Sequence, residues 1–127
     1  MADRVAHLEQ ARANLEIGED FLKRAEASGN PVHVQWAIIA AFYCSVHCVE
    51  AHLNQYSIHS GNHENRRANM DAAQVPDDIY NSHMMLKDLS EQARYELAHF
   101  TVEFARRTVY GRHLSRIRRW AGLENGA

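Results

Sequence analysis

The sequence predicts an all-helical fold: an up-and-down bundle of four main helices and one short helix, in a single domain over residues 1–127. Apolar residues recur at spacings of three and four rather than alternating, which is the period of an amphipathic helix. The 127 residues include only 2 prolines and 6 glycines, so long helices are seldom interrupted. Several of these lie beside Asn or Asp, in combinations typical of helix ends.

The first helix is predicted over residues 4–28 and is followed by a strong turn signal. Gly29 suits the C′ position of a helix, where a left-handed backbone is favoured. Asn30 and Pro31 then suit the N-cap and first position of the next helix. One apolar stripe runs along the otherwise charged first helix: Leu8, Ala11, Leu15, Gly18, Leu22 and Ala25. We therefore expect this helix to fold back on the second one.

The second helix is predicted over residues 31–56 and is apolar on nearly all sides. The apolar stretch runs from Trp36 to Val49. A helix of this kind is normally buried, so we expect it to form the centre of the bundle. Polar side chains within it need partners, because burying them unpaired costs several kcal/mol.

Three more helices complete the prediction, over residues 62–70, 76–95 and 101–120. The middle one opens with Pro76 and two acidic residues, which oppose the helix dipole. Its stripe consists of Ile79, Leu86, Leu89 and Ala93. Thr101 is a suitable N-cap for the last helix. Its expected inward residues are Val102, Ala105, Val109, Ile117 and Trp120.

The sequence favours a cytoplasmic protein with no membrane partner. No apolar run reaches the roughly 18 residues that a membrane-spanning helix needs. The N-terminus leads into a charged amphipathic pattern rather than a signal peptide. Cys44 and Cys48 lie one helical turn apart, where parallel side chains are poorly placed for a disulfide. Such cysteines suggest a reducing compartment.

Charge is unevenly distributed along the chain. Residues 1–92 carry 7 Lys or Arg against 13 Asp or Glu, a net charge of −6. Residues 93–127 carry 7 Arg against 3 Glu, a net charge of +4. The basic C-terminal part permits an anionic partner without requiring one.

The first candidate for chemistry is the pair Arg94 and His99, which lies between the last two predicted helices. A guanidinium can hold a phosphate through two hydrogen bonds, and an imidazole can exchange protons near neutral pH. Together they could cleave RNA without a metal, with the RNA 2′-OH as the nucleophile. The alternative is an arginine that satisfies helix-end carbonyls and an exposed loop histidine.

A second candidate is a group of four polar residues on two helices. His47 and Glu50 share one face of the second helix, and His63 and Arg66 share one face of the short helix. The four meet if the short helix folds over the C-terminal end of the central one. They would then form either the wall of a binding site or a buried polar latch that holds the connector.

Two further patterns have both a functional and a structural interpretation. Cys44, Cys48 and His52 recur at helical spacing and could bind zinc, but cysteines in an apolar run are commonly core residues. We therefore predict no metal or other cofactor. The last helix contains Arg106, Arg107, Arg112, Arg116, Arg118 and Arg119. These could follow a phosphate backbone, or they could form a solvated face that complements the helix C-terminus.

Several stretches resemble small prokaryotic proteins of the HEPN family. The segment from Phe42 to Leu53, FYCSVHCVEAHL, is similar to the second helix of those proteins. His63 with Arg66 is similar to the histidine region that follows there. The segment from Leu89 to Tyr95, LSEQARY, resembles the next signature, and TVEFA from Thr101 resembles the start of the final helix.

The resemblance implies a HEPN-like bundle that forms a homodimer. Many HEPN domains are metal-independent ribonucleases whose Arg-x(4–6)-His motifs meet across the dimer, which would make Arg94 and His99 catalytic. His47, Glu50, His63, Arg66 and Tyr95 would then line the binding site. Other members are non-catalytic modules that bind RNA, a nucleotide or a protein, often a nucleotidyltransferase, in toxin–antitoxin or defence systems.

The sequence departs from the family pattern in the third stretch. Short members usually read Arg-x-x-Ala-Asp-Tyr, whereas Ser90 stands here at the Arg position and Arg94 at the Asp position. The residue after a catalytic Arg is usually small and polar, and here it is Tyr95. The expected function is therefore RNA or nucleotide binding, with endoribonuclease activity as one form of it and a non-catalytic interaction module as the alternative.

Overall fold

The computed structural model describes residues 3–123, and this part of the chain is helical without strands. The first four helices are α1 (Arg4–Ser28), α2 (Pro31–Asn54), α3 (His63–Ala72) and α4 (Asp77–Tyr95). A final helix begins as α5 (Val102–Phe104), continues as a π-helical segment (Ala105–Leu114) and ends as α6 (Ser115–Ala121). The predicted all-helical class is confirmed.

The turn between α1 and α2 forms through the predicted local signals. Gly29 has a φ of 69°, and its N–H donates to the carbonyl of Ala25. The side chain of Asn30 accepts a hydrogen bond from the Val32 N–H, as an N-cap residue does. α1 then packs along α2 through its stripe, with Ala11, Gly18, Leu22 and Ala25 buried.

The bounds of α2 and α3 differ from the prediction for local reasons. α2 ends at Asn54, before a turn in which Ser57 has a φ of 59°. The short helix begins one residue later than predicted, because the side chain of Asn62 accepts from the Asn65 N–H and so acts as the N-cap. It continues to Ala72, which shortens the predicted loop before α4.

α2 forms the core, as expected, with one exception. Most of its side chains are buried, including Phe42, Cys44, Cys48 and Val49. Trp36 is 50% exposed and stacks on Phe21, so its predicted burial was wrong. The expectation that no apolar stretch is long enough to span a membrane was wrong for α2, which could cross one by length and composition alone. However, 72% of its most apolar stretch is buried inside the fold. That burial is typical of a core helix.

The final helix differs most from the regular helix that was predicted. Its middle ten residues form a π-helix, a rare conformation that usually occurs as a single turn. Within it, the Tyr110 hydroxyl donates to the Ala37 carbonyl at 2.6 Å, and burial raises the pKa of this phenol. Gly18 of α1 leaves the space through which Tyr110 reaches α2.

Replacing Gly18 with alanine is expected to lower the free energy of unfolding by about 1–3 kcal/mol through overpacking. An added Cβ would lie 1.8 Å from the Tyr110 hydroxyl oxygen and 3.2 Å from the Ala40 Cβ. Urea denaturation measures the loss. Gly61→Ala is the matched control, because a Cβ there has no neighbour within 4 Å. Overpacking is excluded if both variants are equally stable. If overpacking is the cause, Gly18→Ala should lose less stability in a Tyr110→Phe protein.

Candidate polar site between helices α2, α3 and α4

The C-terminal half of α2 has one polar face in an otherwise apolar helix. Tyr43, His47 and Glu50 follow one another at spacings of four and three, which places them on the same side. α3 packs against this part of α2, and α4 lies beside it. The site is built where these three helices meet.

Glu50 and Arg66 form a buried ion pair that joins α2 to α3. The Arg66 Nε donates to the Glu50 Oε1 at 2.7 Å, and the two side chains are 9% and 6% exposed. The other carboxylate oxygen accepts from the Ser60 N–H at 3.4 Å. The contact expected if α3 folds over the end of α2 is therefore present. Each charge therefore compensates the other in a largely buried position.

His63 is held by the same arginine. The Arg66 Nη1 donates to the His63 Nδ1 at 2.7 Å, so this imidazole is neutral with its proton on Nε2. Burial lowers the pKa of His63, and the charges of Arg66, Lys87 and Arg94 lower it further, while Glu91 raises it. The surroundings of His63 are therefore electropositive, which favours an anion in front of it.

His47 lies on the other side of Glu50 and pairs with His7 of α1. Their Nδ1 atoms are 3.0 Å apart, so one imidazole donates and the other accepts. Burial lowers the pKa of both rings, and the neighbouring His7 lowers the pKa of His47 further. A cavity of about 280 Å³ opens beside the pair, lined by both imidazoles, Glu50, His59 and Arg66.

Arg94 projects from the last turn of α4 between two tyrosines. Its Nη1 donates to the Tyr43 hydroxyl, and its Nη2 donates to the Tyr95 hydroxyl at 2.8 Å. The guanidinium carbon lies 4.6 Å from the centre of the Tyr95 ring and 5.8 Å from that of Tyr43. Its Nε is buried without a hydrogen-bond partner. Within residues 3–123, no carboxylate forms an ion pair with this guanidinium.

His99 lies in the exposed segment between α4 and the final helix. The preceding residue is anchored, because the Gln35 side chain donates to the Ala98 carbonyl at 3.0 Å. Leu97 has a φ of 53° and is 69% exposed. In the part of the chain that the structure describes, no hydrogen bond joins His99 to Arg94. A single chain thus brings Arg94 to the polar face of α2 and leaves His99 outside it.

Among the buried polar residues of α4, His83 was not singled out from the sequence. His83 is 3% exposed, and its Nδ1 lies 2.6 Å from the Ser45 hydroxyl. Its position on the same face as Arg94, eleven residues apart, was the available signal. Ser90 is fully buried, and its hydroxyl has no hydrogen-bond partner. The family pattern has an arginine at this position, and an arginine here would therefore have to lie in the core.

The possible zinc ligands do not converge. Cys44 and Cys48 are free thiols in the core, and the hydrogen bond with Cys44, together with burial, raises the pKa of Cys48. His52 packs its ring on Trp120, with the ring centres 4.2 Å apart. Over residues 3–123, no three His, Cys, Asp or Glu side chains are grouped as a metal site requires.

Five of the six arginines of the final helix fall into two groups. Arg106 is paired with Glu19 at 2.7 Å and with Glu26 at 2.6 Å, and Arg107 is paired with Glu103 at 3.1 Å. These arginines connect helices or form a solvated face. The second group, Arg112, Arg116 and Arg119, lines a groove beside the start of α4.

No protein-family model matches this chain, and no curated protein matches it either. The HEPN-like character therefore stays a prediction that rests on the residues quoted above.

Proposed function

We propose that this chain is a cytoplasmic, HEPN-like domain that binds RNA or a nucleotide through Arg94. The proposal rests on the surroundings of this guanidinium. It is a cation between two tyrosine rings, with no carboxylate paired to it among the described residues. A phosphate would supply the missing negative charge, and a base could stack on the exposed Tyr95 ring.

The surrounding residues support a negatively charged ligand. Lys87 and Arg66 add to the positive potential at His63, and Glu91, which is paired with Lys87 at 2.6 Å, reduces it only in part. Tyr43 and Tyr95 can turn their hydroxyls from the arginine to a phosphate oxygen. The buried Glu50–Arg66 pair holds α3 in place beneath this surface. The four polar residues of α2 and α3 could form a site wall or a buried latch. For the Glu50–Arg66 pair, the role of a latch fits better.

Metal-independent ribonuclease activity is a second candidate, and one observation favours it. His99 is exposed just beyond Arg94, and the large apolar side chains of Tyr95 and Leu97 beside it are 72% and 69% exposed. Exposed apolar groups of this kind suit contact with a second copy of the chain. In a homodimer built there, His99 of one protomer could approach Arg94 of the other.

Replacing Arg94 with methionine is expected to weaken binding of a short single-stranded RNA about 10- to 100-fold, because charge-assisted hydrogen bonds to the phosphate are lost. Fluorescence anisotropy at fixed salt measures the dissociation constant. Arg24→Met is the matched control, since Arg24 is 62% exposed and forms a surface pair with Asp20. Equal affinity of the two variants would remove Arg94 from the binding site.

The same RNA, incubated with purified protein and analysed by gel, separates the two forms of the proposal. Cleavage that is lost in both Arg94→Met and His99→Asn supports the ribonuclease. Binding that needs Arg94 but produces no cleavage supports the non-catalytic module, which would then act with a partner such as a nucleotidyltransferase. If neither RNA nor a nucleotide binds, the proposed function is wrong.

A further inference from the structure

A second positively charged surface lies away from the Arg94 site, between the start of α4 and the end of the final helix. It is a groove of about 500 Å³, lined mainly by Asp78, Arg112, Ser115, Arg116, Arg119 and Trp120. The three arginines are spaced by four and three residues, so their side chains emerge from the same side of the helix. Asp78 and Arg94 are sixteen residues apart in α4, which places the two sites about 24 Å apart along that helix.

The charges in the groove are poorly compensated. Asp78 supplies the one carboxylate among the lining residues, and its Oδ1 accepts the Ile79 N–H at 2.9 Å. Across residues 3–123, none of the three arginines forms an ion pair. Three guanidiniums therefore face one carboxylate, which leaves a net positive charge among the lining residues. This contrasts with Arg106 and Arg107 of the same helix, which are paired.

One of the arginines is held in position. The Arg116 Nη1 donates to the Ser82 hydroxyl at 3.0 Å, and that hydroxyl forms a second hydrogen bond with the Nδ1 of His113 at 2.9 Å. Ser82 is buried and holds the Arg116 guanidinium, which lines the groove. Burial lowers the pKa of His113, and the positive charges of Arg112 and Arg116 lower it further.

The groove also offers an aromatic surface. Trp120 lies at its edge and is partly exposed, with its indole packed on His52. An aromatic ring beside clustered arginines is the combination that binds phosphates and bases together. A carboxylate ligand would use the arginines but not the ring.

We propose that this groove is a second binding site for phosphate groups, those of a nucleotide or of an RNA strand, with Arg112, Arg116 and Arg119 as the phosphate ligands and Trp120 as a stacking surface for a base. The site uses none of the residues of the Arg94 site. The two proposals can therefore succeed or fail separately.

The test compares two double variants with the same change in net charge. Arg112→Ala with Arg119→Ala removes the exposed arginines of the groove, and Arg24→Ala with Arg107→Ala removes two exposed, paired arginines elsewhere. Both double variants also carry Arg94→Met, so that binding at the Arg94 site does not contribute. Calorimetric titration with inorganic pyrophosphate, a nucleoside triphosphate and a short single-stranded RNA gives the affinities. We expect the groove variant to bind at least about tenfold more weakly than the control variant.

The NMR titration of the His113 imidazole is a second readout. A phosphate bound beside Arg116 adds negative charge and should raise the pKa of His113 in the Arg94→Met protein, but not in the groove variant. A preference for the triphosphate over RNA identifies a nucleotide site, and the reverse identifies a contact with the RNA backbone. The proposal is overturned if pyrophosphate leaves His113 unchanged, or if the control variant loses as much affinity as the groove variant.

Discussion

Replacing Arg66 with methionine is expected to lower the free energy of unfolding by about 3–5 kcal/mol, the cost of leaving one charge of a buried pair alone. Glu50 is 4% exposed, and Arg66 supplies its charge partner at 2.7 Å. Methionine keeps most of the length of the side chain, so the loss reflects charge more than volume. The same change frees His63 and loosens α3 from α2. Urea denaturation followed by circular dichroism measures the effect.

Two controls separate the buried charge from the loss of packing. The double variant Glu50→Leu with Arg66→Met removes both charges and should recover most of the stability, because a buried ion pair and an apolar pair of similar size are often equivalent. Arg24→Met breaks an exposed pair and should change stability by less than about 1 kcal/mol. If the double variant is as unstable as Arg66→Met alone, the unpaired carboxylate is not the cause.

Acidification is expected to destabilise the protein strongly through His83. Burial lowers the pKa of this imidazole to about 3, with the charges of Arg66, His63 and Lys87 acting in the same direction. The unfolded chain takes up this proton below pH 6.5, whereas the folded chain does so only near pH 3. The contribution of neutral His83 is therefore intact above pH 6.5 and declines as the pH falls towards 3. By pH 4 the loss from this residue alone is about 3 kcal/mol.

Other histidines act in the same direction, since burial also lowers the pKa of His7, His47, His52, His63 and His113. The variant His83→Asn isolates the main contribution. It should be less stable at pH 7, because the contact with Ser45 changes, but its stability should depend less steeply on pH between 6.5 and 4. Urea denaturation at each pH gives the slopes, and equal slopes in the two proteins would exclude His83 as the main acid-sensitive group.

Local interactions explain why most of the helix ends could be predicted. Gly29, Asn30 and Thr101 satisfy backbone groups within a few residues of themselves, so their identities are enough to locate a cap. The stripe of α4 was also correct, because helical period and burial coincide there. The prediction for Trp36 was wrong for the opposite reason. An apolar side chain is buried only if another helix covers it, and periodicity carries no information about that.

Only the parts of the candidate site that lie within one helix could be predicted. Helical spacing placed His47 with Glu50, and His63 with Arg66, because residues three apart share a face. The meeting of Arg94 with Tyr43 joins residues 51 positions apart, and that of His7 with His47 joins residues 40 apart. Helical spacing relates only residues that are close in the sequence, so neither contact could be predicted from it.

Four features follow from the amino-acid sequence alone: the helical class, the capped turn after α1, the central apolar helix and the basic character of the final helix. These depend on local backbone geometry, on periodicity and on composition. The tertiary structure decided which charges are paired, where the π-helical segment lies, how deeply His83 is buried, and that Arg94 and the groove arginines are left without carboxylates. Those properties arise from contacts between helices, because the energy of a charge in a protein depends on what packs around it.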